Sequence, residues 1–368
     1  MERKEIKVEQ SRRGFLKIGA VAGAVASVLP GVGEAVARAA EGAAPPPAQG
    51  HDPNLPPEAT TGPWRNLRAV KEKKVFDFHT HAWETPVQGK NYAEEKRMHD
   101  LDQWKDYTPQ LIASMDKHGV AQAALSPAFV TFETYIDSSY KKYPDRFIKM
   151  TSMLTNQTKG RMDQVTVEEA TDILKSQIAY GCRGVGEGGF FWGSSGRYTV
   201  KDLRPFVDVI LQHDIPVLVH SGWAVTGTAS NYGRGYTTAW RWAERFGALM
   251  SEYTDMKFVL GHTGGAFATP DAWEAIRLAY SFDNAYCEVS KSPPEIIAAA
   301  VHGIGADRVM YGSDFNRPEP KTYGPLNEHY VFQQWYTLNH VAQADITEDQ
   351  RDQVLYKTAR TLLKLDTA

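Results

Sequence analysis

Cysteine is almost missing from this chain. Cys182 and Cys287 are the only two in 368 residues, so a disulfide framework is excluded, and each is expected as a buried free thiol in a strand-like segment. An excess of one charge is missing as well. The formal net charge is -3, and no basic block follows the first few residues, which gives no reason to expect nucleic acid or an anionic membrane as partner. No G-x-G-x-x-G opens a helix after the first strand-like run, which argues against a doubly wound open sheet. Long apolar runs are missing too: the stretch Ile18 to Leu29 is short, rich in Ala and Gly, and broken at Pro30-Gly31, too weak for a membrane span. What is present is enough apolar material, 42% of residues, for one large domain or two ordinary ones.

The first 40 residues carry Ser11-Arg12-Arg13-Gly14-Phe15-Leu16-Lys17 ahead of that apolar run. This resembles a twin-arginine export signal, with small residues at Ala35-Val36-Ala37 and Ala37-Arg38-Ala39 as cleavage sites. The resemblance implies the export machinery as a partner, and a protein that folds in the cytoplasm, often around a cofactor, before crossing to the periplasm or otherwise outside the inner membrane. Residues 41–66, dense in Pro, Ala and Gly, are expected as a linker. The folded domain is expected over 67–368.

In that domain, short apolar runs alternate with helical periodicity. Strands are expected at Lys74–His81, Gln122–Pro127, Phe147–Leu154, Cys182–Gly188, Ile215–Ser221, Lys257–His262, Ala285–Ser290 and Arg308–Asp314. Apolar residues at three- and four-residue spacing fill the gaps, as in Leu203-Phe206-Val207-Ile210. Eight strand–helix units in about 300 residues is the arithmetic of a (β/α)8 barrel, the TIM barrel.

Polar residues at the strand tips of such a barrel converge on one mouth. His79 and His81 end the first strand, and residues i and i+2 of a strand face one side. Glu187 stands among glycines after the fourth. His220 ends the fifth, His262 the sixth and Asp314 the eighth. Four imidazoles and two carboxylates form a set with metal-ligand chemistry.

The order His-x-His, His, His, Asp at strands one, five, six and eight resembles the amidohydrolase superfamily. Leu260-Gly261-His262-Thr263-Gly264-Gly265 and Ile304 through Asp314 are similar to its amidohydrolase-related (amidohydrolase 2) family in particular. The last helix departs from that family: Thr358-Ala359-Arg360 has Thr where an Asn is usual. The resemblance implies a divalent metal, zinc by preference, held by His79, His81, His220, Asp314 and Glu187, with Asp314 and His262 as catalytic residues. One ion is the default. In hydrolytic relatives a carboxylated Lys or a Glu on the fourth strand bridges two. Lys is absent there, and Glu187 is either that bridge or a carboxylate behind the ligands.

Two chemistries are implied on a small organic substrate: hydrolysis of an amide, ester, lactone or similar bond by a metal-activated water, and decarboxylation of an aromatic or unsaturated acid. A non-catalytic binding protein with a structural metal is a third reading, disfavoured because Asp314 suits proton transfer better than closed coordination. The loops after the strands are crowded with aromatics, including Trp223, and with Arg234 and Arg317, which are candidates for contacting the substrate and holding its carboxylate. Among the other histidines, His118 and His213 fall at helix C-termini, where the dipole suits them. His99, His329 and His340 are expected in or near loops at the mouth.

Overall fold

Eight strand positions arranged in parallel order carry the fold, and their alternation explains why. The computed structural model describes residues 61–84, 105–126, 132–151, 166–187, 198–221, 239–264, 270–315, 321–323, 328–330 and 334–366. The expected signal, most of the expected linker, and Trp223, Arg234, Arg317 and His99 lie outside them.

Val75–Thr80 pairs with Val120–Leu125, which pairs with Phe147–Lys149, all parallel. Val217–His220, Phe258–Gly261, Ala285–Glu288 and Val309–Met310 form a second parallel sheet in that order. Val185 joins the two, bridging Thr151 on one side and Val217 on the other. The circle closes where Thr80 pairs with Phe315 and the Phe78 N–H donates to the Tyr311 carbonyl at 3.0 Å. This is the TIM barrel that the strand–helix count predicts.

Most strands are shorter than the apolar runs that predict them; the second keeps its length but starts two residues earlier, at Val120 instead of Gln122. The fourth is reduced to one bridging residue, flanked by Gly184 and Gly186: a Cβ on Gly186 would lie 2.6 Å from the Thr151 carbonyl oxygen. Backbone hydrogen bonds still reach both neighbours: the Thr151 N–H donates to the Gly184 carbonyl at 2.9 Å and the Val185 N–H to the Pro216 carbonyl at 2.8 Å. Cys182 consequently lies outside any strand, while Cys287 is within Ala285–Glu288, and both are buried free thiols.

Period-two alternation divides the core. One strand face supplies Phe76, Phe78, Ala124, Met150, Leu218, Val259 and Met310, a cluster joined by Ala359, Leu362 and Leu363 of the last helix. The other supplies Val75, Ala123, Leu125, Val217, Val219, Phe258 and Leu260, which pack outward on helices such as Val167–Ala179, Arg204–His213 and Pro294–Ile304. Asp214 ends Arg204–His213 in the left-handed conformation at φ 48°, the stop expected at Gln212-His213-Asp214. Thr358, where the family pattern has Asn, donates from Oγ1 to the Ala306 carbonyl at 3.0 Å, so it ties the last helix to the turn before the eighth strand.

Packing begins ahead of residue 67. Pro63–Asn66 is a 3-10 turn whose Trp64 is buried, its ring edge-on to His118 at 4.8 Å between centroids. Two short antiparallel ribbons, Trp83–Glu84 with Lys105–Asp106 and Lys321–Tyr323 with Glu328–Tyr330, stand outside the barrel ladder. Among the described residues no helix is long and apolar enough to cross a membrane.

Candidate metal centre

The first strand ends on a register irregularity between Asp77 and Thr80, and His79 within it and His81 just beyond it turn toward each other. Their Nε2 atoms are 3.1 Å apart. Each ring is held from behind. His81 Nδ1 donates to the Ser126 carbonyl at 2.9 Å, and His79 Nδ1 lies 2.8 Å from Glu288 Oε2. With the hydrogen on Nδ1 in both rings, the Nε2 lone pairs point into one space.

Two carboxylates complete that space. Glu187 Oε2 is 3.2 Å from His81 Nε2 and 3.4 Å from His79 Nε2. Asp314 Oδ1 is 3.3 Å and 3.7 Å from the same two atoms. Ligands bound at about 2.0–2.2 Å around one ion stand about 3.0–3.4 Å from each other, a range that holds four of these five distances, with His79 to Asp314 longer at 3.7 Å. Two facing Nε2 atoms among carboxylates form a place for positive charge, filled by a proton or by a metal ion, and the donor set fits a divalent metal.

A second group adjoins it. Glu187 Oε1 lies 2.7 Å from His220 Nδ1 and 3.1 Å from His262 Nε2. His262 Nδ1 meets Ser290 Oγ at 2.7 Å, and that hydroxyl donates to Glu288 Oε2 at 2.9 Å. The His262 hydrogen is therefore on Nδ1, and its Nε2 lone pair faces a carboxylate oxygen. Glu187 thus shares itself between two donor groups, one oxygen in each.

Electrostatics follow from this crowding. Burial alone would lower His79 and His81, but Glu187 and Glu288 raise His79 well above its ordinary value, and Asp314 and Glu187 push His81 up to about 9. Burial would raise Glu187, yet His79 and His220 hold it well below the usual carboxylate range. Burial likewise opposes ionisation of Asp314, and Lys291 with His262 overcomes it, holding the carboxyl far below its ordinary value. A cation is drawn to the cluster from every side.

Of the predicted site residues, the structure brings together His79, His81, Glu187, His220, His262 and Asp314. Two others went unpredicted. Glu288 is fully buried at the tip of the seventh strand and accepts hydrogen bonds from His79 Nδ1, the His262 backbone N–H, and both the backbone N–H and hydroxyl of Ser290. Lys291, three residues on, places its Nζ on Asp314 Oδ2. The signal for Glu288 was present, an acid ending an apolar strand. Nothing marks Lys291 in Ser-Lys-Ser-Pro-Pro.

Backbone conformation concentrates here. His262, Thr263, Lys291 and Asp314 have φ of 59°, 42°, 60° and 49°, left-handed values that non-glycine residues adopt at a cost of order 1–3 kcal/mol each. They sit after three consecutive strands and turn each side chain inward. Gly312 allows that convergence, since a Cβ there would run into Glu288 Oε1 and lie 2.7 Å from the His79 Cβ.

Three of the remaining described histidines bond backbone carbonyls away from this centre. His340, expected near a loop, lies on the helix Gln334–Gln343 and its Nδ1 donates to the Ser292 carbonyl at 2.9 Å. His118 Nδ1 donates to the Ser114 carbonyl at 2.7 Å. His302 Nε2 donates to the Asp345 carbonyl at 2.8 Å. His329 falls in the ribbon strand Glu328–Tyr330.

A family model described as Amidohydrolase matches residues 76–365. No curated protein is significantly similar in sequence. Among solved structures, an uncharacterised TIM-barrel protein from Bordetella bronchiseptica aligns at a TM-score of 0.54 and 18% identity, over 80% of this chain and 100% of that one. A dihydroxybenzoic acid decarboxylase from Polaromonas sp. JS666, with bound manganese and the inhibitor 2-nitroresorcinol, aligns at 0.50 and 17% identity, over 80% and 98%. A 4-oxalomesaconate hydratase from Rhodopseudomonas palustris aligns at 0.50 and 18% identity, over 80% and 97%. At these identities the likeness is one of fold.

Proposed function

The chain belongs to the amidohydrolase family and is an enzyme of that superfamily, and from that premise we propose that it is a metal-dependent hydrolase of a small organic substrate bearing an amide, ester, lactone or similar bond. The observation that carries this is Glu187, whose two oxygens face two donor groups as a bridging carboxylate would. His79, His81, Glu187 and Asp314 would hold one ion, and Glu187, His220 and His262 a second. A bound divalent cation makes water nucleophilic at neutral pH and polarises the bond attacked. The residues do the rest. Asp314 accepts the proton of the attacking water and returns it to the leaving group. Each of its oxygens has two lone pairs, so the contact with Lys291 leaves room for that proton. With a single ion bound, His262, held at Nδ1 by Ser290, keeps its Nε2 for the bond under attack and orients it.

Zinc is the ion we propose, because imidazole nitrogens suit it. Elemental mass spectrometry decides between it and manganese, the ion in the Polaromonas structure. The double variant His79→Ala/His81→Ala loses most bound metal, since both opposed nitrogens go; full occupancy would contradict the site. A panel of esters, lactones, amides and aromatic acids then separates the reactions. A new acid with its alcohol or amine supports hydrolysis, while base-trapped carbon dioxide replaces it with decarboxylation. Trp223, Arg234 and Arg317 are proposed as substrate contacts.

Export by the twin-arginine route to the periplasm is proposed from Arg12-Arg13. Changing both to Lys leaves unprocessed protein in the cytoplasm, and normal processing after that change would remove the proposal.

A further inference from the structure

Lys291 is the charged residue at this centre that the functional reading leaves unused. It is buried, 9% exposed, three residues beyond Glu288. Its backbone is left-handed at φ 60°, and the turn that holds it is gripped from the helix Gln334–Gln343 at two points. The Lys291 N–H donates to Thr337 Oγ1 at 3.1 Å, and His340 Nδ1 donates to the carbonyl of the next residue, Ser292, at 2.9 Å. Pro293 and Pro294 then stiffen the exit. A strained conformation secured in this way serves the side chain it presents.

That side chain ends on Asp314 Oδ2. The other oxygen, Oδ1, is the one 3.3 Å from His81 Nε2 and 3.7 Å from His79 Nε2. The carboxylate is therefore divided, one oxygen for the imidazole pair and one for the ammonium. Asp314 is itself left-handed at φ 49°, and its N–H donates to the His79 carbonyl at 2.7 Å, so its backbone is fixed as well. Rotation about the side-chain bonds is the freedom left to it, and the ammonium takes that away.

We propose that Lys291 is a positioning residue that holds Asp314 Oδ2 away from the metal position, so that Asp314 meets the ion through Oδ1 alone. The inference rests on the metal-centre reading above. A carboxylate released from its second partner chelates through both oxygens, as carboxylates around divalent cations commonly do, which adds a ligand and crowds the place where substrate must bind. Lys291 keeps the coordination low.

The test is visible absorption of the protein loaded with one equivalent of Co2+, whose intensity falls as coordination rises above four. Lys291→Met is expected to lose roughly twofold or more of that absorption, as for a change of coordination geometry, whereas Lys291→Arg, which keeps a cation on Oδ2, retains most of it. In an Asp314→Asn background the same Lys291→Met change is expected to have no further effect. Lys291→Gln repeats the measurement if the methionine variant does not fold. Stoichiometric Co2+ with an unchanged spectrum in Lys291→Met and Lys291→Gln, or an equal change in the Asp314→Asn background, overturns the role of Lys291 and leaves the metal centre standing. Absence of Co2+ binding by the wild-type chain overturns the metal centre and this inference together.

Discussion

Glu288 Oε2 lies 2.8 Å from His79 Nδ1, and the His262 backbone N–H reaches the same oxygen at 3.0 Å. One buried carboxylate thus orients the His79 imidazole directly and fixes the backbone of His262, whose ring it reaches only through the Ser290 hydroxyl. Burial alone would raise Glu288, but His79 and His262 keep it below its ordinary value, so it is an anion that holds the His79 hydrogen on Nδ1. Glu288→Gln places an amide NH2 among groups that are all donors. Metal affinity is expected to fall about 10–100-fold, the usual effect of losing such a partner, with a stability loss of about 1–3 kcal/mol from unpaired buried groups. Metal competition titrations and urea unfolding read the two quantities, and an unchanged affinity would show that His79 needs no support.

Glu288 is harder to read from the sequence than the strand-tip residues around it. The positions of His79, His81, His220, His262 and Asp314 were legible because each ends an apolar run, and a barrel sends strand ends to one mouth. The same rule reaches Glu288. Its run, Ala285 to Ser290, continues through Val289, so the acid reads as one polar residue inside a strand. The ladder in fact stops at Glu288. Lys291 was illegible for a different reason: its role depends on a left-handed turn held by Thr337 and His340, 46 residues away or more, and no local pattern encodes that. The fourth strand position carries a local signal, since the glycines on both sides of Val185 permit a close approach that a Cβ on Gly186 would block.

Glu187 decides the number of ions. If its two oxygens serve two positions, wild-type protein binds near two metals per chain and Glu187→Gln near one. The amide keeps one oxygen and offers a donor where the second ion needs an acceptor. Equal stoichiometry in the two proteins, measured by elemental analysis after exhaustive dialysis, would return Glu187 to a supporting position behind a single ion.

His118 gives the fold an acid-side weakness away from the metal. Burial against Trp64 lowers it from an ordinary 6.5 to about 4, more than the Ser114 carbonyl raises it. Between those values the unfolded chain holds a proton on this ring and the folded chain does not, and stability rises with pH wherever the unfolded state binds more protons. Its contribution is complete above about pH 6.5 and is lost progressively down to about pH 4, by about 3 kcal/mol in all. His118→Gln cannot titrate, so its unfolding free energy should fall less steeply over that range. Parallel pH slopes for the two proteins in urea would remove His118 as the cause.

Asp314→Asn tests the proposed chemistry most directly. Asparagine matches the carboxylate in size and retains one oxygen, but it cannot accept the proton of the attacking water, so turnover is expected to fall about 10²–10⁴-fold, the usual worth of a positioned acid or base. Loss of an interaction made at the transition state lowers kcat and kcat/KM together and leaves KM nearly unchanged. The substitution also strands the Lys291 ammonium, which is buried beside it, and removing one partner of a buried pair costs about 3–5 kcal/mol. Lower activity could then reflect a loosened fold. The double variant Asp314→Asn/Lys291→Met separates the two causes, because it removes the stranded charge along with the carboxylate. Its stability should return toward wild type, as read by urea unfolding, while its turnover stays low. Recovery of turnover along with stability would mean that Asp314 acts through the fold, and a single variant that keeps most of its turnover while metal-free protein is inactive would assign the proton to another group.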